Sequence, residues 1–515
     1  KDGNFVISGT DEGSINVWDA LSATLKATLV SMPNSDDWLV ATPDGLFDGS
    51  PESWNLMLWR FDGSTFNVLP VESFFNEFYY PGVLADILSN KNPTAPSDIV
   101  QKDRRQPRIN LKIGNGTPNA NSRNIDVELE VTAAPPRGNQ LTDSGAKDLR
   151  LFRNGLLVKV WSGDVLHKSN ARTVRTTIQI VAGENRISAY AFNNDNIKSL
   201  DATAIVNGAD TLKRQGAAHL LVIGIEQYEN PRYNLKYPVA DATQMGAQLK
   251  AQQERLGRYN PIVTIPLTNA EATKKNILLA LGRLAGSHTG PLPQDAPKIL
   301  STINPAQPED AVVIYFSGHG TALKDRFYLI PHDMGYKGSQ LVRDMAGFST
   351  IINHSISDEE LVSALQPLDA DQLLVVIDAC NSGQALESDE KRRGPMNTKG
   401  LAQLAYEKGI YVLTASQSME VAFEADALKH SYLAYALLEE GLKNRAADGN
   451  RDGDIFLKEW FDYANHRVPE IRRRRQERRK ELVEDEPDEQ KVQRPRVFYT
   501  REIGARRLLI ARHSN

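Results

Sequence analysis

Four short, uninterrupted apolar runs constrain this chain most: HLLVIGI at 219–225, DAVVIYF at 310–316, QLLVVID at 372–378 and IYVLTA at 410–415. A strand with one wet face alternates apolar and polar residues, and these runs do not alternate. Helical stretches such as DATQMGAQLKAQ and SYLAYALLEEGL lie between and after them. Strands that read as continuous apolar runs and are spaced by helices belong to a parallel sheet covered on both faces. The expected fold class for residues 210–470 is therefore an α/β domain with a mainly parallel sheet flanked by helices.

At 515 residues the chain is too long for a single hydrophobic core, so several domains are expected. SGTDEGSINVWDALSATLKATL at 8–29 resembles the last blade of a WD-repeat propeller, and 1–30 is read as a partial blade. A blade needs neighbours to bury its faces. The chain opens inside this pattern without methionine, which is read as a piece of a longer protein with blades upstream. Residues 31–104, rich in aromatics and turn pairs, are read as an irregular packed connector. Between 105 and 209, alternating segments such as IDVELEVTA and RTTIQIVAGENRISAYAFN predict an immunoglobulin-like antiparallel sandwich. Residues 471–515 are expected to form a charged helix and a C-terminal strand.

A net charge of −5 is too small to make nucleic acid or a membrane surface the main partner. The longest apolar stretches fall well short of the roughly 18 residues that cross a bilayer. A single cysteine cannot form an internal disulfide, which fits a reducing compartment and a cytoplasmic location.

Chemistry is concentrated at two strand ends. DAVVIYF runs into Ser317-Gly318-His319-Gly320, and LLVVI runs into Asp378-Ala379-Cys380-Asn381-Ser382-Gly383. In an open parallel sheet, ligands bind beyond the carboxyl ends of the strands, so His319 and Cys380 can face one site. Cys380 is then the nucleophile and His319 its acid/base partner, a pairing sufficient for peptide cleavage. The backbone N–H groups of Gly320 and Cys380 are read as donors to the developing oxyanion. Taken singly, a cysteine is most often a small buried hydrophobe and a histidine a satisfied core residue. Their placement at matching strand ends favours catalysis.

YFSGHG at 315–320 and IDACNSG at 377–383 resemble the caspase-like superfamily, closest to its metacaspase and orthocaspase branch. LVIGIEQYEN, LKYPVADA at 235–242 and YLIPHD at 328–333 agree with this. Animal caspases carry Gln-Ala-Cys-x-Gly at the nucleophile, whereas this chain has Asp-Ala-Cys-Asn-Ser-Gly. The resemblance implies an acidic pocket for Arg or Lys, formed by Asp241, Ser317 and Asp378. Pro238 stands where the family often has a cysteine. The plain alternative for Asp241 is a helix N-cap. The competing specificity, cleavage after Asp, would use Arg232 and Lys236.

Asp448, Asn450, Asp452, Asp454 and Glu459 fit the ligand spacing of a calcium-binding helix–loop–helix, with Gly453 at the turn, and the alternative is a solvated loop. No cofactor is required for the chemistry, and calcium enters as a regulatory ion. Asp358 and Glu359 are a looser second set. The polar segment after the nucleophile contains Arg392 and Arg393, candidate sites of self-cleavage if the pocket takes basic residues. The reading is a regulated cysteine endopeptidase acting on protein or peptide, with a regulatory protein partner recruited through the propeller or sandwich. Its rival is a catalytically silent scaffold for protein assembly.

Overall fold

Alternating apolar and polar residues in the first two hundred positions fold into antiparallel sheets, and the continuous runs beyond them fold into a parallel one. In the computed structural model, the structure describes residues 3–33, 35, 37–63, 67–114, 119–138, 140, 142–323, 326–342, 344–381, 399–415, 424–425, 428–480, 495–498 and 508–512. These fall into two units that divide between Lys213 and Arg214.

The first unit opens with five antiparallel strands in sequence order: β1 (Phe5–Gly9), β2 (Ser14–Asp19), β3 (Leu25–Ser31), β4 (Trp38–Ala41) and β5 (Phe47–Gly49). The sheet thus runs past residue 30 into the segment read as connector. The connector's aromatics form its core, with Trp54 4.7 Å from Tyr79 and Tyr79 stacked on Phe75 at 5.4 Å.

Seven longer strands follow: β6 (Arg108–Ile113), β7 (Asn124–Thr132), β8 (Lys147–Arg153), β9 (Leu156–Asp164), β10 (Ala171–Gln179), β11 (Gly183–Phe192) and β12 (Ala202–Gly208). One sheet has the order β10-β7-β6 and the other contains β9-β8-β11-β12. Val127, Leu129 and Val131 of the first pack with Leu149, Leu151 and Ile187 of the second. Alternate residues of β7 point into that core, as a period of two requires. Lys198 is 3% exposed, so its ammonium must be paired. It lies 3.2 Å from Glu72 and 2.8 Å from Asp201, and 4.7 Å over the Tyr190 ring. This ties the connector to the sandwich.

The second unit is built on β13 (Ala218–Gly224), β14 (Ile262–Thr268), β15 (Ala311–Leu323), β17 (Gln372–Asn381) and β18 (Tyr411–Thr414), with β16 (Arg326–Leu329) folded back on β15. The order is β14-β13-β15-β17-β18, all parallel, and an antiparallel strand at Arg496–Phe498 closes the edge. All seven residues of β13 are buried, the physical reason its sequence does not alternate. On one face, α1 (Pro238–Leu256) packs Ala242, Met245 and Leu249 against Leu220, Val222 and Tyr315. On the other, α2 (Lys274–Leu284), α4 (Asp358–Leu365) and α5 (Lys399–Lys408) contribute Leu281, Leu365 and Leu401, and α3 (Met345–His354) lies between α2 and α4 in sequence. The charged run at 471–480 is the distal part of one 24-residue helix, α6 (Leu457–Lys480), rather than a separate element. No described helix is long and apolar enough to cross a membrane.

Candidate active site

The strand order reverses between β13 and β15, because β13 is followed in sequence by β14 on one side and later by β15 on the other. A crevice opens at such a point beyond the carboxyl ends of the strands. Three segments reach it: the loop after β13, the end of β15 and the end of β17. In the parallel register Gly224 stands beside Ser317, Ser317 beside Asp378, His319 beside Cys380, and Gly320 beside Asn381. The two residues read as nucleophile and base are therefore direct neighbours across one ladder. Gly320 also pairs with Leu329 of β16.

His319 is 8% exposed and is fixed by the loop after β13. Its Nε2 lies 2.7 Å from the Tyr233 carbonyl oxygen. A carbonyl only accepts, so Nε2 carries the proton and Nδ1 keeps its lone pair. Among the described residues Nδ1 has no hydrogen-bond partner. The Tyr228 hydroxyl accepts the His319 backbone N–H at 2.6 Å, and its ring centroid lies 4.9 Å from the imidazole. A side chain at Gly318 would bring its Cβ to 2.8 Å from the Tyr228 oxygen, so only glycine admits this approach. Burial pushes the imidazole down to about 4, with the Tyr233 carbonyl opposing the shift. At neutral pH it is an uncharged base.

The residues read as an acidic pocket come together. Asp241, Ser317 and Asp378 are all buried. Asp241 sits in the first turn of α1 but caps nothing, since the N-cap is Tyr237 and makes no side-chain cap bond. Instead, its carboxylate accepts from His430 Nδ1 at 2.5 Å and from the Ser431 N–H at 3.0 Å. Asp378 accepts from the Tyr315 hydroxyl at 2.8 Å and from Ser431 Oγ at 2.5 Å. The Asp241 hydrogen bond raises the affinity of His430 for its proton. Burial and the two carboxylates push Tyr315 well up. Tyr228, Tyr233, His430 and Ser431 were not singled out in the sequence. Tyr228 lies inside the quoted LVIGIEQYEN motif, but nothing in spacing marks His430, which arrives from a hairpin far along the chain. Arg232 and Lys236 are exposed.

The loop at 448–459 joins a helical segment, Tyr432–Lys443, to α6, and Gly453 adopts φ +89°. Its side chains largely satisfy its own backbone. Asp448 accepts from the Gly453 N–H at 3.0 Å, Asn450 from Asp452 N–H at 2.9 Å, and Glu459 from Phe456 N–H at 3.0 Å. Arg512 holds both oxygens of Asp454, at 2.6 and 2.8 Å, and lowers its pKa. Among the described residues no three His, Cys, Asp or Glu are grouped so as to hold a metal ion. Asp358 and Glu359 are paired with Arg326. Arg392 and Arg393 lie outside the described residues.

No curated protein matches the chain. Among solved structures, it is similar to the fibronectin(III)-like modules of Clostridium thermocellum CbhA, at 14% identity over 20% of this chain and 99% of that one, with a TM-score of 0.14. The CARDB domain of the PF1109 protein from Pyrococcus furiosus matches at 18% identity over 20% of this chain and 96% of that one, also at 0.14. A polysaccharide deacetylase from Bacillus cereus matches at 13% identity, covering 53% and 70%, again at 0.14. Overlaps this small carry no structural conclusion. The family model for the caspase domain matches residues 217–499, more than half of the sequence and nearly all of the second unit, with both strand ends inside it. The chain belongs to the caspase-domain peptidase family.

Proposed function

We propose that this caspase-family peptidase is a cysteine endopeptidase of the metacaspase type that cleaves after Arg or Lys, with Cys380 as nucleophile and His319 as its base. The observation that carries the catalytic part is a buried imidazole whose Nε2 is spent on the Tyr233 carbonyl, leaving Nδ1 as the basic nitrogen, next in register to the only cysteine in the chain. In the reaction, Nδ1 takes the thiol proton as sulfur attacks the peptide carbonyl carbon, and returns it to the leaving amine. Water then releases the acyl group from sulfur. Backbone N–H groups of Gly320 and Cys380 are assigned to the oxyanion.

Specificity follows from two buried carboxylates, Asp241 and Asp378, beside the dyad, which suit a cationic side chain. Fluorogenic peptides ending in Arg, Lys, Asp or Glu test this. Turnover of the Arg and Lys peptides is expected, and turnover of Asp peptides alone would overturn the basic specificity. Self-cleavage near Arg392 or Arg393 belongs to the same reading, and intact mass should show it in the wild type and not in Cys380→Ala. Upstream modules are assigned recruitment of a regulatory protein, and calcium acting through the 448–459 loop is expected to raise activity. An unchanged calcium response in Asp448→Ala would remove that loop from regulation.

A further inference from the structure

We infer that His430 occupies the acidic pocket as the chain's own stand-in for a substrate's basic side chain, and that a peptide enters by displacing this imidazole from Asp241. This rests on the acidic-pocket reading above and names how that pocket is guarded.

The neighbouring contacts separate a fixed part from a movable one. Ser431 is the N-cap of the short helix Tyr432–Tyr435, and its Oγ accepts from Ala434 N–H at 2.9 Å while donating to Asp378. Its backbone N–H holds the second oxygen of Asp241. Moving Ser431 would uncap a helix and take one hydrogen bond from each of two buried carboxylates. The His430 side chain has no such second duty: among the described residues its hydrogen bond runs from Nδ1 to Asp241 Oδ1. Rotation about its side-chain bonds would therefore uncover one carboxylate oxygen without disturbing the cap. The preceding residue, Lys429, has φ +56°, a left-handed turn that aims His430 inward at the end of the hairpin pairing Glu424–Ala425 with His430–Ser431. His430 is 5% exposed and Asp241 1%, so both partners of this contact are shielded from water.

Chemistry favours the exchange. An imidazole donates one hydrogen bond to Asp241, whereas a guanidinium presents a fork that can engage a carboxylate with two. The carboxylates bearing on His430 are Asp241 in contact, with Glu439 and Asp378 at longer range, and they would favour an entering cation as they favour the protonated imidazole. Acidic side chains gain nothing by the exchange. The imidazole thus acts as a filter as well as a plug.

The test compares wild type, His430→Ala and His430→Gln, using an Arg-ending fluorogenic peptide and benzamidine as a non-reacting cation. Benzamidine affinity by isothermal titration calorimetry reads the pocket without catalysis. Removing a competing charge-assisted hydrogen bond should tighten benzamidine binding and lower KM for the Arg peptide by roughly tenfold in His430→Ala, with kcat little changed. His430→Gln, which keeps a neutral donor, should fall between. If the wild type cleaves Arg peptides but neither variant binds benzamidine more tightly, the displacement is wrong while the acidic pocket stands. Failure of both variants to fold would make His430 a structural pillar and also overturn it. If the wild type cleaves only Asp peptides, the pocket reading itself falls and takes this inference with it.

Discussion

At His319 the position of a single proton follows from one carbonyl. Tyr233 O can only accept, so the imidazole is held as one tautomer, and burial keeps it uncharged down to about pH 4. Its folded value lies below the ordinary 6.5, so the unfolded chain takes up a proton first as pH falls. The stabilisation is complete above pH 6.5 and is lost between there and about 4. Urea denaturation of wild type and His319→Gln should show the stability difference shifting against the wild type across that window, and a constant difference would contradict it. In the proposed mechanism Tyr228 is a positioning residue: its hydroxyl holds the His319 N–H and its ring lies against the imidazole. Tyr228→Phe keeps the ring and removes the acceptor. Misplacing a reacting group costs rate far more than binding, so kcat should fall roughly tenfold to a hundredfold with KM little changed in steady-state assays.

The elements that bring these residues together are buried strands, and buried strands need covers. Trp460 of α6 is fully buried, stacks near Phe461 at 5.6 Å, and donates from Nε1 to the Leu437 carbonyl at 2.9 Å. It joins the helix that bears the distal charged run to the helical segment that follows Ser431. Trp460→Ala should cost about 3–5 kcal/mol in urea denaturation. A much smaller loss would mean that the cover is not held at this point. The 448–459 loop shows how one sequence pattern can meet two demands. Its spacing suits a cation, yet in the fold Arg512 sits on Asp454 and Glu459 turns back to its own helix start. Spacing reports which oxygens could converge; the fold decides what they are given to hold.

For the whole molecule, having one cysteine in 515 residues makes any thiol adduct a report on Cys380. An Arg-directed peptide ketone should add once, by intact mass, and His319→Ala should slow the addition sharply because less thiolate forms. Equal rates in both proteins would favour the silent scaffold. The strand runs and the two strand-end motifs were legible from sequence, since a strand buried on both faces must be apolar throughout and its glycine-flanked polar residues fall where it leaves the core. The aromatics at 47–79 were legible only as packed material, because a five-stranded sheet that continues through Trp38–Gly49 has no local signature. By itself, the sequence determined that a parallel sheet would form and that Cys380 and His319 would stand at the ends of two of its strands, while the strand order made those two strands neighbours. Only the tertiary structure decided which nitrogen of His319 carries the proton and which side chain faces Asp241. Both depend on loops and a hairpin distant in sequence, where contacts are set by packing rather than by period.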